Sequence, residues 1–169
     1  MLIGFTGTGK TEVGRILSKK LGRRFFDINE IIEKKEKDKI VRVSQIKGEK
    51  YLQEIEERII GKISQENDCI IATRVNTVLS DKNYKNLKRN GLIICLTAEP
   101  SIIILRSTPT KHSSVLLKSK DAIKIIRETL KEKQPYYSKA DYTIDTSDFT
   151  VEQVVDKILE LIKGEGKCG

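Results

Sequence analysis

Gly4-Phe5-Thr6-Gly7-Thr8-Gly9-Lys10-Thr11 fits the pattern G-x-x-x-x-G-K-[ST] and lies almost at the start of the chain. A polyphosphate carries several negative charges, and small residues let successive backbone N–H groups converge on its oxygens. Gly7 and Gly9 supply that freedom. A helix beginning at Lys10 would aim its unpaired amides and positive dipole end at the same phosphates, with Lys10 reaching the β and γ groups and the Thr11 hydroxyl holding Mg²⁺. The loop residues Thr6, Gly7, Thr8, Gly9, Lys10 and Thr11 are therefore the candidate nucleotide-binding set. The competing reading is an ordinary glycine-rich turn. The flanks favour the cradle: apolar Leu2-Ile3 precedes it, and Val13, Ile16, Leu17 and Leu21 follow at helical spacing, with Gly22 placed as a C-terminal cap.

Working outward, short apolar runs alternate with helical patterns. Phe25-Phe26 reads as a buried strand ending at Asp27, and Ile31-Ile32 as a helix. Ile40, Val41 and Val43 open an apolar segment closed by Gly48, followed by a long amphipathic helix through Leu52, Ile55, Ile59 and Ile63. Cys69 to Ala72 and Leu92 to Leu96 read as central strands. A polar helix over 81–89 stops at Asn90-Gly91, Pro100 starts another helix, and Ala122 to Leu130 forms one interrupted near Pro135. Tyr142 to Asp145 is a last strand, and Val151 to Ile162 a last helix. Strands alternating with helices, without hairpin turns, predict a parallel sheet covered on both faces, a three-layer α/β/α fold. Only Met1 to Ile3 precede the loop, so either this edge of the core is thin or the true start lies upstream.

With 169 residues, the chain suits one domain with a real core. The expected domain spans 1–163, with a polar excursion at about 107–119 behaving as a mobile lid and a flexible tail over 164–169. The net charge of +8 invites an anionic partner, but the basic residues mostly alternate with acids on predicted helices. Aromatics are 5% with no Trp, so the stacking platform of a single-strand binder is missing and no nucleic-acid partner is expected. No apolar run approaches the ~20 residues of a membrane span. No export signal is visible, and the expected address is cytoplasmic. Cys69, Cys95 and Cys168 have no metal-ligand or redox spacing.

The chain resembles the shikimate kinase family over nearly its whole length. The resemblance is carried by Ile3-Gly4-Phe5, Gly7-Thr8-Gly9-Lys10-Thr11, Val13-Gly14-Arg15, Phe26-Asp27-Ile28-Asn29-Glu30, Gly48-Glu49, Ile71-Ala72-Thr73, Pro135-Tyr136-Tyr137 and Ile144-Asp145-Thr146. It implies a five-stranded parallel sheet of the nucleoside monophosphate kinase type. It also implies ATP or ADP with Mg²⁺ on the loop, a lid above, an acceptor pocket opposite, and a monomer. Lys10 matches the phosphate-binding lysine, Thr11 the Mg²⁺ ligand, and Asp27 the first acid of the family's D-x-D, acting on Mg²⁺ through water. A helix N-cap is the alternative role for Asp27. Arg106 falls where the family stacks an arginine on adenine, and Ser147 to Val151 falls in its adenine loop. Glu12 departs from the small hydroxyl residue usual after the Ser or Thr and puts negative charge near the α-phosphate unless it turns away.

The acceptor half departs from the family. The second acid of D-x-D, the proton acceptor, is Asn29, and an amide is no general base. The arginine that clamps the shikimate carboxylate from the long helix aligns with Glu54, and the glycine triplet after the third strand reads Arg74-Val75-Asn76. The lid's Arg-Pro-Leu-Leu appears as Ser114-Val115-Leu116-Leu117; Lys111 or His112 could substitute for the lost arginine, or be simply solvated. The last clamp arginine aligns with Lys133, which keeps only the charge. The acceptor-pocket candidates are thus Asn29, Glu54, Arg74 and Lys133. The expectation is a protein that binds ATP or ADP with Mg²⁺ and passes a phosphoryl group to an unknown small molecule other than shikimate. The alternative is a catalytically inactive nucleotide-binding protein in which Arg74 pairs with Glu54 and closes the old pocket.

Overall fold

A computed structural model describes residues 1–89, 91–107 and 121–165. Leu2–Gly4 (β1) runs into the glycine loop, and Lys10–Leu21 forms α1. Arg24–Asp27 (β2), Ile28–Glu36 (α2) and Ile40–Ile63 (α3) follow. Next come Cys69–Ala72 (β3), a single 3-10 turn at Thr77–Leu79, and Asp81–Lys88 (α4). The chain continues through Ile94–Thr97 (β4), Pro100–Ser107 (α5), Ala122–Tyr137 (α6), Tyr142–Asp145 (β5) and Val151–Glu165 (α7).

The strands form one parallel sheet in the order β2-β3-β1-β4-β5. In β1, Leu2, Ile3 and Gly4 lie opposite Ile94, Cys95 and Leu96 of β4. The apolar runs of β1, β3 and β4 are central, with both faces covered, while the Phe25-Phe26 run of β2, expected to be buried, is a half-buried edge strand. On one face Leu2, Ile70 and Leu96 pack with Val13 and Leu17 of α1 and Val154, Val155 and Ile158 of α7. On the other, Ile71 packs with Ile28 and Ile32 of α2, Leu52, Ile55 and Ile60 of α3 and Leu87 of α4. Ile3 and Cys95 meet Val78 and Tyr137. The chain leaves β1 toward β2 on one side and later returns on the other, so the carboxyl end of β1 is the switch point where ligands of open α/β sheets bind. That end is the glycine loop.

Local differences from the sequence reading have physical causes. Leu92 and Ile93 precede β4 because the Ile93 N–H donates to the Asp141 side chain at 2.8 Å instead of entering the ladder. The break expected at Gly48 is a kink within α3: Gly48 has φ 80° and ψ 163°. Glu36 of α2 spans it, accepting from Lys47 on one side and from Tyr51 Oη at 2.9 Å on the other. Helix α6 runs through Pro135 without interruption, since a proline in the last turn forgoes only one helical hydrogen bond. Helix α7 continues to Glu165, past the expected start of the tail at 164; residues 166–169 lie outside the described residues. Among the described residues no helix is long and apolar enough to cross a membrane.

Candidate functional site

The loop adopts the conformation its glycines permit. Gly7 has φ 79°, and a Cβ there would stand 2.7 Å from Ser107 Oγ, so both dihedral and space exclude a side chain. Gly9, also left-handed, is the N-cap of α1, which begins at Lys10 with its first amides facing the loop. Thr8, 1% exposed, turns its hydroxyl inward to Phe5 O at 2.8 Å. Lys10 Nζ folds back over the loop and donates to Gly4 O at 3.0 Å and Phe5 O at 2.7 Å. Desolvation pushes its pKa down to about 8, partly opposed by the Asp27 carboxylate.

Asp27 ends β2 and uses its two oxygens differently. Oδ1 accepts from the backbone of Asn29 (2.9 Å) and Glu30 (3.3 Å), which caps α2, while Oδ2 accepts the Thr11 hydroxyl at 2.6 Å. The cap and the loop-facing carboxylate, alternatives in the sequence, are thus two ends of one side chain. The pairing sets two oxygens, one of them anionic, beside the glycine loop, a donor set suited to a hard, partly hydrated cation. Among the described residues no cluster of three or more His, Cys, Asp or Glu could hold a metal by itself, so such a cation would rely on phosphate oxygens and water.

A cleft of about 780 Å³ joins these groups. Thr6, Gly7, Thr8, Gly9, Lys10, Thr11 and Asp27 line its floor, and Glu12 also borders it. At one end stand Arg106, Thr146, Phe149, Thr150 and Val151. Arg106 is pinned there, with Nη1 donating to Thr146 Oγ1 at 2.9 Å and Nη2 to Thr146 O at 2.7 Å. Ser147 lies beside this end without lining it. Its hydroxyl donates to Asp145 Oδ1 at 2.6 Å and accepts from the Glu99 N–H at 2.9 Å, which braces the loop. At the other end the lining is Asn29, Ile40, Val41, Thr73 and Val75.

The acceptor-side candidates divide. Asn29 lines the cleft, whereas Glu54 does not: it is exposed on α3, and its carbonyl accepts from Arg58 Nε at 3.2 Å. The expected pairing of Arg74 with Glu54 is therefore corrected. Arg74, its side chain 10% exposed, instead pairs with Glu49 (3.0 Å) and Glu56 (3.4 Å). Turns of 3.6 residues put positions seven apart on one helix face, while Glu54, five beyond Glu49, points about 140° away. Glu56 is 1% exposed and also accepts from Thr77 Oγ1; burial pushes its pKa above the ordinary carboxyl value, with Thr77 and Arg74 opposing the shift. Lys133 reaches the same region from α6, donating to Asn76 Oδ1 at 2.7 Å. Desolvation lowers its pKa. Sequence reasoning names Glu49 and Asn76 without giving them a partner and passes over Glu56; two acids two turns apart facing an arginine in a turn were the available signal. Lys111, His112 and Ser114 lie outside the described residues.

A family model described as shikimate kinase matches residues 6–163. The shikimate kinase of Thermodesulfovibrio yellowstonii is 41% identical over 160 residues, covering 95% of this chain and 92% of the relative. That of Caldanaerobacter subterraneus subsp. tengcongensis is 38% identical over 168 residues, covering 99% and 98%. Among solved structures, shikimate kinase from Acinetobacter baumannii in complex with shikimate superposes with a TM-score of 0.89 at 29% identity, over 97% of this chain and 92% of the other. Shikimate kinase from Aquifex aeolicus gives 0.81 at 26% identity, over 99% and 98%.

Proposed function

The chain belongs to the shikimate kinase family, and from that premise we propose that it binds ATP or ADP with Mg²⁺, as a cytoplasmic monomer, and transfers phosphoryl to a small-molecule acceptor other than shikimate. Bound ATP supplies the phosphoryl group and Mg²⁺ offsets its charge. The chain's own groups do the positioning. The amides at the start of α1 and the Lys10 ammonium face the phosphates, the Thr11 hydroxyl and the Asp27 carboxylate orient the hydrated metal, and the Arg106 guanidinium meets the base. Phosphoryl transfer depends chiefly on such positioning and charge, because its transition state is loose.

One observation carries the acceptor assignment. Asn29, Ile40, Val41, Thr73 and Val75, the described residues lining the acceptor end, include no charged side chain. A shikimate carboxylate finds no cation among them, and its hydroxyl finds no base but Asp27, whose Oδ1 already caps α2. A second reading, phosphorylation of shikimate itself, is favoured by the names of the relatives at 38–41% identity. A third, nucleotide binding without turnover, is favoured by the missing base at Asn29. Coupled measurement of ADP release, with MgATP and saturating shikimate, separates them. We expect no shikimate-dependent release; turnover at an ordinary kinase rate would overturn the proposal in favour of the second reading. Binding of MgADP with no turnover on any hydroxylated metabolite in a broad screen would favour the third.

A further inference from the structure

Charge is unevenly placed in the cleft. Among the described residues that line it, Lys10 and Arg106 are cationic and Glu12, Asp27 and Glu152 are acidic. Lys10 Nζ is held by Gly4 O and Phe5 O within the glycine loop, and Arg106 is tied to Thr146 at the far end. Glu12 and Glu152 stand in the first turns of α1 and α7, which cover one face of the sheet. The acceptor end belongs to the other face. Asn29 of α2 and Ile40 and Val41 of α3 form it, with Thr73 and Val75 after β3.

The charges nearest this end are committed elsewhere. Asp27 gives Oδ1 to the amides of Asn29 and Glu30 and Oδ2 to the Thr11 hydroxyl, so a ligand ammonium meets no idle carboxylate. Arg74 and Lys133 do not line the cleft: the first is held by Glu49 and Glu56, the second by Asn76 Oδ1. A ligand anion therefore leaves water without gaining a cation, which is costly. Nucleotide phosphates on the loop would add like charge to the same cleft and raise that cost. What the end does offer is neutral. Ile40, Val41 and Val75 supply an apolar wall, and the half-buried Asn29 makes no side-chain hydrogen bond among the described residues, leaving amide donors and an acceptor open. The Thr73 hydroxyl spends its proton on Leu2 O at 3.2 Å and keeps only its accepting capacity. An apolar lining with a few placed polar groups is the usual make-up of a small-molecule site.

We propose that the acceptor end takes an uncharged, hydroxylated compound, which lays a carbon face on Ile40, Val41 and Val75 and hydrogen-bonds through a hydroxyl to the Asn29 amide. Anionic and cationic analogues of the same shape are rejected. The inference rests on reading the cleft as a kinase acceptor site and adds to it the charge class of the acceptor. Selectivity then comes from the absence of a counter-charge rather than from a clash, so one added cation on the wall is enough to reverse it.

The test holds shape nearly fixed and varies charge. Shikimate, its carboxamide, and the analogue with an aminomethyl group in place of the carboxylate are titrated calorimetrically in the presence of saturating MgADP. The wild-type chain should bind the carboxamide about tenfold tighter than either charged probe. Asn29→Ala should weaken the carboxamide about tenfold, which places the ligand at this end. Val41→Lys should bring shikimate level with the carboxamide or beyond it, and Val75→Lys serves if that variant fails to fold. Equal affinity for the three probes, preference for a charged one, no binding of the carboxamide, or full affinity in Asn29→Ala each overturns the inference while MgADP still binds. A chain that binds no MgADP overturns the nucleotide reading on which the inference rests.

Discussion

The Thr11 hydroxyl donates to Asp27 Oδ2 at 2.6 Å and so joins the first turn of α1 to the carboxyl end of β2. Because Oδ1 of the same side chain caps α2, charge and cap can be separated by substitution. Asn and Asp cap helices about equally well, whereas alanine costs roughly 0.5–2 kcal/mol. Asp27→Asn should leave the melting temperature nearly unchanged while weakening MgADP about tenfold, a change of ~1.4 kcal/mol, with little effect on ADP in EDTA. Isothermal titration with and without Mg²⁺ checks this. Equal losses in both conditions would remove Asp27 from the metal's surroundings.

Lys10 gives nucleotide binding a pH signature. Its pKa in the free protein is about 8, lowered chiefly by desolvation. Phosphate beside the ammonium favours the charged form, so binding raises that pKa, and above about pH 8 each binding event must take up a proton. Affinity for MgADP should be flat below pH 8 and then fall, at most about tenfold per pH unit. Calorimetry at pH 9 in buffers of different ionisation enthalpy reads the uptake directly. Lys10→Ala should abolish both binding and uptake; the free wild-type protein gains stability from this group as pH rises through 8, because the unfolded chain holds the proton that the folded one has released.

Glu56 acts in the opposite sense. Its folded pKa is raised, burial being the largest cause, so the native state holds a proton that the unfolded chain loses above about 4.5. On this account stability falls as pH rises through the interval just above 4.5. Glu56→Gln removes the titration and should flatten the urea-unfolding profile above pH 4.5. Glu56→Leu, which strands Arg74 on its inner side, should cost roughly 3–5 kcal/mol. A wild-type profile that already lacks the slope contradicts the assignment.

Gly14 is a packing glycine: a Cβ added there would lie 2.3 Å from Cε2 of Phe25. The ring must shift for alanine to fit, and overpacking of this kind costs about 1–3 kcal/mol. Gly14→Ala should therefore lower the melting temperature by roughly 2–4 °C per kcal/mol. Once folded, the variant should bind MgADP normally, since Gly14 does not line the cleft. A loss of affinity larger than the loss of stability would show that α1 shifts at its loop end.

The glycine loop's conformation and the parallel sheet were legible because each rests on short-range pattern: glycines at fixed spacing, apolar runs too short for helices, and Gly22 and Gly48 where the helical geometry stops. The acceptor half rests on which turn of α3 faces β3, and this was misread. The sequence reading pairs Arg74 with Glu54, a residue that points away from it. The periodicity of α3 selects Glu49 and Glu56 instead. Asn76 and Lys133, 57 positions apart in the chain, meet only through the sheet order, which no local pattern encodes.

The kink at Gly48 leaves α3 as two rods end to end. Ile40 and Val41, on the first rod, form part of the cleft wall, while Glu49 and Glu56, on the second, hold Arg74. Glu36 straps Lys47 on the first rod to Tyr51 on the second, like a stay across a door hinge. The cleft wall and the two acids that hold Arg74 thus sit on separate rods, joined by one glycine and one carboxylate.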